Sequence, residues 1–149
     1  MSVDDPLRSA IARLCEGGDL DAGASAAATE RLMSGEATAA QIGGYLAALR
    51  VKGETVEEVV GAARAMRARC ERVQTRRFPL VDTCGTGGDG GRTFSISTAA
   101  ALVVAGAGVA VAKHGNRAAS GRFGGADVLE ALGVRIDQPA EVAGRCLDH

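Results

Sequence analysis

Residues 82–93 read Asp82-Thr83-Cys84-Gly85-Thr86-Gly87-Gly88-Asp89-Gly90-Gly91-Arg92-Thr93 and directly follow the apolar run Phe78-Pro79-Leu80-Val81. A glycine-rich turn after a strand can bring its backbone N–H groups close to a phosphate group. The alanine- and valine-rich run at 99–105 then predicts a helix, and the N-terminus of a helix favours an anion. The pattern therefore predicts a binding site for a phosphate or diphosphate group between a strand and a helix.

The segment Gly85–Gly90 matches the G-x-G-x-x-G pattern, but the residues around it do not fit the two common nucleotide-binding motifs. A dinucleotide-binding fold has an Asp or Glu about 20 residues further on, where this chain has the acid-free stretch Ala107–Lys113. A G-x-x-x-x-G-K-[ST] phosphate loop has a lysine and a hydroxyl where Gly91 and Arg92 stand here. Both nucleotide-binding interpretations are therefore disfavoured.

A second predicted strand, Val109–Ala112, is followed by the polar motif Lys113-His114-Gly115-Asn116-Arg117 and by Ser120-Gly121-Arg122. In parallel sheets, ligands bind outside the carboxyl ends of the strands. We therefore expect the glycine-rich turn and these cationic and amide side chains to lie at one edge of a sheet. Such an edge suits a sugar phosphate that is held together with a divalent cation.

Three motifs, in this order and spacing, resemble those of the anthranilate phosphoribosyltransferases of tryptophan biosynthesis: Asp82–Asp89, Thr93–Thr98 and Lys113–Arg117. The segment Ala126–Gly133 continues the resemblance, and the residues before Phe78 resemble the helical N-terminal domain of that family. The resemblance implies transfer of a phosphoribosyl group from phosphoribosyl pyrophosphate (PRPP) to the amine of anthranilate, with Mg²⁺ and release of pyrophosphate. Such a reaction can proceed by positioning and charge stabilisation, so no catalytic nucleophile is assigned.

The resemblance also implies the roles of individual residues. The predicted substrate-binding residues are Gly85, Gly88, Asp89, Thr93, Ser95, Ser97, Thr98, Lys113, His114, Gly115, Asn116, Arg117 and Ser120. Within this set, Ser97 is implied as a magnesium ligand, Lys113 as a contact to phosphate oxygens, and Asn116 as a contact to anthranilate.

The chain departs from the family pattern in two ways. Ser95 stands where the family usually has Asn, and the family's serine-rich loop is here the less hydroxylated stretch Ala118–Gly125. The family's acidic pair for magnesium and its arginine for anthranilate lie in a later half that this 149-residue sequence does not contain. The expectation from the sequence is therefore an N-terminal fragment with negligible turnover of anthranilate.

Composition narrows the class of protein. Hydrophobic residues make up 46% of the chain, the mean hydropathy is +0.07, and no apolar run approaches the roughly 20 residues that span a bilayer. The acidic N-terminus lacks the pattern of a signal peptide, so a cytoplasmic protein without a membrane partner is expected. A net charge of -1 with 3% aromatic residues disfavours nucleic-acid binding, and four scattered cysteines disfavour a disulfide framework or a zinc site.

The predicted fold is a small all-helical N-terminal domain followed by the start of an α/β domain with a mainly parallel sheet, whose C-terminal half is missing. The predicted boundaries are 1–73 for the helical domain, 74–77 for a linker or hinge, and 78–149 for the partial α/β domain. This second domain is expected to have about three strands, the third at Val134–Ile136, and a last helix that begins near Pro139.

Four helices are predicted in the N-terminal domain. Capping boxes at Thr38–Gln41 and Thr55–Glu58 predict two helix starts, Gly35 and Gly53 predict helix ends, and the alanine-rich Ala22–Met33 predicts a further helix. Three apolar faces follow from the helical period: Leu7, Ile11 and Leu14; Ile42, Tyr45, Leu46 and Leu49; and Val56, Val59, Val60, Ala63 and Met66. A homodimer through these helices is expected, with contacts from Leu7, Ile11, Tyr45 and Leu46.

Alternatives remain at this point. Lys113 and Arg117 could be solvated cations, Ser97 could cap a helix, and Asp127 with Glu130 more simply serve a helix dipole than form an acid site. A pyrimidine nucleoside phosphorylase-like enzyme would share the architecture, although Asn116-Arg117 speaks against it. A non-catalytic helical interaction module with a vestigial ligand loop is the third functional class.

Overall fold

The structure is a computed structural model that describes residues 5–85, 94–118 and 123–149. The chain divides into two compact units, Met1–Cys70 and Glu71–His149. None of the helices in the described ranges is long and apolar enough to span a bilayer.

The described residues of the first unit, 5–70, form four helices, as the sequence predicts. They are α1 (Pro6–Cys15), α2 (Ala22–Met33), α3 (Ala39–Lys52) and α4 (Val56–Arg69). Both predicted capping boxes are confirmed, because each Thr side chain accepts from the N3 backbone N–H and each N3 side chain accepts from the Thr backbone. Gly35 and Gly53 have positive φ angles of 77° and 87° at the ends of α2 and α3, so these two predicted helix ends are also confirmed.

The core of the first unit lies between α1, α2 and α3. Its buried residues are Leu7, Ala10, Leu14, Leu20, Ala28 and Tyr45. Leu7 and Tyr45 were also expected at a dimer interface, and this expectation is wrong because their exposed fractions are only 0% and 2%. Both side chains are buried where α1 packs against α3.

The apolar face predicted for α4 does not form the core. Val56, Val59 and Met66 are largely exposed, and the buried residues of α4 are Glu58, Gly61 and Ala65. Small side chains allow α4 to approach α2 closely, and a Cβ at Gly61 would overlap the carbonyl oxygen of Ala22.

The second unit contains three helices in its described residues: α5 (Ile96–Gly106), α6 (Gly125–Ala131) and α7 (Ala140–Asp148). Val81 and Val111 form a parallel bridge, in which Val81 N–H donates to Ala110 O and Ala112 N–H donates to Val81 O, both at 3.0 Å. This bridge is all that the described ranges show of the predicted parallel sheet.

The strand predicted at Val134–Ile136 is wrong, since the described residues there have no strand conformation. The N–H of Val134 donates to Leu129 O at 3.0 Å, and that of Gly133 donates to Glu130 O at 2.9 Å. With φ of +87° at Gly133, these bonds form the capping turn that ends α6. The backbone of Val134 is therefore used in a helix cap.

Residues 74–77 lie against α7. The carboxylate oxygen Oδ1 of Asp148 accepts from the Thr75 hydroxyl at 2.5 Å and from the Arg76 N–H at 2.7 Å. Gly144 of α7 passes so close to the Gln74 carbonyl that a Cβ there would overlap it. In the structure this segment belongs to the second unit. The last helix begins where the sequence predicts, because Pro139 is the N-cap residue of α7 and Ala140 is its first helical residue.

Candidate functional site

The Val81–Val111 bridge sets the geometry of the candidate site. Because the bridge is parallel, the residues that follow Val81 and those that follow Val111 leave the same edge. Asp82 to Gly85 therefore lie beside Lys113 and His114, although about 30 positions separate the two segments in sequence. The structure thus brings the start of the glycine-rich loop and the Lys113–Arg117 motif together.

Asp82 joins the two segments. Its oxygen Oδ1 accepts from the Cys84 N–H at 2.9 Å in the first loop and from the His114 N–H at 3.1 Å in the second. Loss of some of the water around the carboxylate acts to raise the pKa of Asp82, but these donors outweigh this effect and hold the pKa below its ordinary value. Asp82 was not among the predicted site residues. Its position directly after a strand and before a glycine turn is the signal that could have identified it.

Asp82 is predicted to hold the two loops together through the hydrogen bonds that its oxygen Oδ1 accepts. Asp82→Ala removes the acceptor, so amide hydrogen exchange at Cys84 and His114 should accelerate about tenfold, the effect of losing a bond worth about 1 kcal/mol. Asp82→Asn keeps a carbonyl oxygen at the same place and should exchange like the unsubstituted chain. Exchange as fast in the Asn variant as in the Ala variant would contradict this assignment.

The first loop is also fixed to the start of α5. The Thr83 hydroxyl donates to the Ser97 carbonyl at 2.7 Å, and the Ser95 hydroxyl donates to Thr98 Oγ1 at 2.8 Å. Thr98 is buried, with 1% of its surface exposed, whereas Ser95 and Ser97 are half-buried. The predicted residues Ser95, Ser97 and Thr98 therefore lie next to the loop that contains Gly85.

Lys113 lies where the two polar segments meet α6. Its ammonium donates to the His114 carbonyl at 2.9 Å. A Cβ at Gly125 would stand 3.3 Å from Lys113 Nζ and 3.2 Å from Thr98 Oγ1. The ammonium of Lys113 and the hydroxyl of Thr98 are therefore close neighbours across Gly125, and a cation beside a hydroxyl suits contact with phosphate oxygens.

Asn116 and Arg117 differ in how many of their side-chain hydrogen-bonding groups already have a partner. Asn116 Oδ1 accepts from the Arg117 N–H at 2.9 Å, which leaves the side-chain NH₂ group as a donor. The Arg117 guanidinium contacts Glu130 at 2.7 and 2.9 Å and Asp127 at 3.2 Å. The hydrogen bond with Glu130 raises the pKa of Arg117 further above its ordinary range.

An open cavity of about 420 Å³ adjoins this motif. Lys113, Gly115, Asn116 and Arg117 supply polar groups on its lining, and Ala126, Leu129 and Ile136 supply apolar ones. Its volume falls in the range of small-molecule sites. The apolar wall was not predicted, because no site role was assigned to the segment Ala126–Gly133 that contains Leu129, and Ile136 lies outside every motif.

Four predicted site residues, Gly88, Asp89, Thr93 and Ser120, lie outside the described residues. In the part of the chain that the structure describes, no group of three or more His, Cys, Asp or Glu side chains could hold a metal ion. Ser97 alone offers one hydroxyl, whereas Mg²⁺ takes six oxygen ligands. The described residues therefore do not make a magnesium site by themselves.

Comparison with known proteins gives the family. Residues 8–70 match the helical bundle domain of the glycosyl transferase family, and residues 77–149 match its a/b domain. The chain belongs to this glycosyl transferase family. The two matched ranges together span nearly all of the first and second units.

Three proteins that are similar to this chain carry the same name. The anthranilate phosphoribosyltransferases of Symbiobacterium thermophilum and Anaeromyxobacter dehalogenans are each 57% identical over 143 residues, which is 96% of this chain. The crystal structure of anthranilate phosphoribosyltransferase (TrpD) from Thermus thermophilus matches with a TM-score of 0.81 at 44% identity, over 97% of this chain and 43% of that chain. The resemblance carried by the three sequence motifs is confirmed. The chain spans 42% of the length of these two curated relatives.

Proposed function

We propose that this chain provides the PRPP-binding part of an anthranilate phosphoribosyltransferase. The reaction would transfer the phosphoribosyl group from PRPP to the amine of anthranilate and release pyrophosphate. One observation carries the proposal: the parallel bridge between Val81 and Val111 places the start of the glycine-rich loop, Asp82–Gly85, beside the Lys113–Arg117 motif, with Asp82 bonded to both. The names of the relatives support the choice of substrates.

The described residues offer groups of the right chemistry. Lys113 supplies a cation for phosphate oxygens, and Asn116 supplies an amide NH₂ group that can donate to the carboxylate of anthranilate. As the ribose–pyrophosphate bond breaks, negative charge grows on the pyrophosphate, and a fixed cation stabilises it. We propose that Mg²⁺ enters with PRPP as part of the substrate complex, with Ser97 as its nearest protein ligand.

Lys113 is predicted to contribute directly to PRPP affinity. In calorimetric titration with PRPP and MgCl₂, Lys113→Ala should weaken binding by about 1.5–3 kcal/mol, the range for a hydrogen bond to a charged group. Arg50→Ala serves as the control, because it removes the same charge from an exposed position of α3. Equal affinity in the Lys113 and Arg50 variants would remove Lys113 from the site. Absence of binding by the unsubstituted chain would contradict the proposed function.

We further propose that the chain forms a homodimer through α3. Ile42 and Leu46 are four positions apart on one face of this helix, and their exposed fractions are 36% and 55%. Apolar side chains exposed on a common face are suited to burial in an interface.

Leu46→Glu is predicted to dissociate the dimer without unfolding it, since it places a charge in a contact that excludes water. Light scattering should report a monomer for this variant, with unchanged helical circular dichroism. Val51→Glu is the matched control, because Val51 lies on another face of the same helix and is 88% exposed. A monomeric unsubstituted chain, or a dimer that persists in Leu46→Glu, would contradict the placement.

A further inference from the structure

Asp127 bonds to the backbone on both sides of the segment 119–122, which itself lies outside the described residues. Its oxygen Oδ2 accepts from the Ala118 N–H at 2.9 Å and from the Gly124 N–H at 2.7 Å. The bond to Gly124 caps α6, and an N-terminal cap requires no more than that. The bond to Ala118 has a second effect: it holds the end of the Lys113–Arg117 motif against α6.

The second oxygen of Asp127 and the carboxylate of Glu130 hold Arg117. Asp127 Oδ1 accepts from Arg117 Nη1 at 3.2 Å, and Glu130 accepts from Nη1 and Nη2 at 2.7 and 2.9 Å. Two parallel bonds from one guanidinium to one carboxylate fix the orientation of both side chains. The predicted helix-dipole role suits Asp127 in the first turn of α6, but it is wrong for Glu130, which lies in the last turn and contacts Arg117.

The backbone around these contacts is tightly packed. The Ala126 N–H donates to the Asn116 carbonyl at 3.2 Å. A Cβ at Gly124 would overlap that same carbonyl and would stand 2.7 Å from the Ala118 nitrogen. The backbone at Asn116 is thus held against the start of α6. This fixed backbone limits the positions that the Asn116 side chain can take.

We infer that Arg117, Asp127 and Glu130 form a loop clamp that positions Lys113 and Asn116 for the ligand. Asp127 and Glu130 are then positioning residues, and Arg117 acts through them instead of contacting phosphate itself. A loop that is already held in its binding conformation loses less conformational entropy when the ligand binds. The inference rests on the proposed function for the identity of the ligand, but the clamp itself is a property of the free chain.

The contacts of the loop clamp differ in how much they stabilise the loop. The side chains of Arg117 and Glu130 are 57% and 51% exposed, and ion pairs between exposed side chains contribute little. The Asp127 side chain is only 28% exposed and accepts two backbone N–H groups. Asp127 therefore contributes most of the stability of the loop clamp, and Glu130 contributes less.

The test measures amide hydrogen exchange at Ala118 and Gly124 together with the affinity for PRPP and Mg²⁺. In Asp127→Ala we expect exchange at both amides to accelerate about tenfold and affinity to fall about tenfold, the effect of losing one or two hydrogen bonds. Asp127→Asn keeps an oxygen that can accept both N–H groups, so both quantities should return to within about threefold of the unsubstituted chain. Exchange at the Ala112 amide, which donates to the Val81 carbonyl in the parallel bridge, is the control for the stability of the second unit and should not change.

Glu130→Gln decides how Arg117 acts. If Arg117 works through the clamp, loss of the Glu130 charge should weaken PRPP binding by about two- to fivefold, as expected for an exposed ion pair. If Arg117 contacts phosphate directly, release from Glu130 should tighten binding, and the inference would be overturned. Unchanged exchange in Asp127→Ala, or unchanged affinity despite faster exchange, would overturn it as well. Absence of PRPP binding by the unsubstituted chain would overturn the proposed function, and the exchange rates would still decide whether the clamp exists.

Discussion

Replacing Glu58 by alanine is expected to destabilise the helical unit by about 2–3 kcal/mol, the effect of leaving buried N–H donors without their acceptor. Glu58 is 2% exposed. It accepts from the Leu20 N–H at 2.9 Å, the Thr55 N–H at 2.8 Å and the Lys52 ammonium at 3.0 Å. Alanine leaves the Lys52 ammonium without its buried partner and leaves the Leu20 N–H without its acceptor. Urea denaturation followed by circular dichroism measures the change.

The same carboxylate predicts how stability depends on pH. Burial acts to raise the pKa of Glu58, but the N–H groups of Leu20 and Thr55 and the Lys52 ammonium together lower it from 4.5 to about 2. A lowered pKa stabilises the folded chain above pH 4.5, and this contribution is lost as the pH falls from 4.5 towards 2. The free-energy difference between the unsubstituted chain and Glu58→Gln should therefore shrink across this window. A difference that stays constant from pH 7 to pH 2 would contradict the assignment.

Gly61→Ala is expected to destabilise the same unit by about 2–3 kcal/mol, because added atoms in a close-packed contact force the backbone apart. The new Cβ would overlap the Ala22 carbonyl oxygen and would stand 2.8 Å from Ser25 Cβ, both on α2. A backbone atom cannot move aside as a flexible side chain can.

Gly43→Ala is the matched control for Gly61→Ala. Gly43 also lies inside a helix, but no atom lies within 4 Å of where its Cβ would stand. The helix preference of alanine should therefore stabilise that variant by about 0.5–1 kcal/mol. Thermal denaturation of both variants should give changes of opposite sign. A stabilising effect at Gly61 would show that α2 and α4 are not in close contact there.

Local signals account for what could be predicted of the helical unit. A capping box such as Thr38–Gln41 is complete within four residues, so the sequence contains both partners. The orientation of α4 could not be predicted in this way. Its buried face consists of a charged residue, a glycine and an alanine, and the hydrophobic pattern favours the opposite face. Glu58 can be buried because two donors from outside α4, the Leu20 N–H and the Lys52 ammonium, satisfy its carboxylate.

The candidate site also has some features that could be predicted from the sequence and others that could not. That two polar segments meet at one edge follows from the rule for parallel strands, so Gly85 and Lys113 could be placed together from sequence. The partner of Asp82 stands 32 positions away, and nothing in its own neighbourhood shows which backbone group it accepts from. The strand expected at Val134–Ile136 failed for a local reason, because Gly133 ends α6 in a cap that uses the Val134 N–H. A glycine placed just after a helix was the available signal.

We propose that PRPP binds at the edge where the segments after Val81 and Val111 meet. An NMR titration of the ¹⁵N-labelled chain with PRPP and MgCl₂ tests it most directly, because each amide reports its own environment. We predict saturable shifts at the amides of Gly85, His114, Gly115 and Asn116, and no shifts in α1 to α4 beyond those that MgCl₂ alone produces. Shifts confined to the helices of the first unit, or no saturable shifts at these four amides, would contradict the claim.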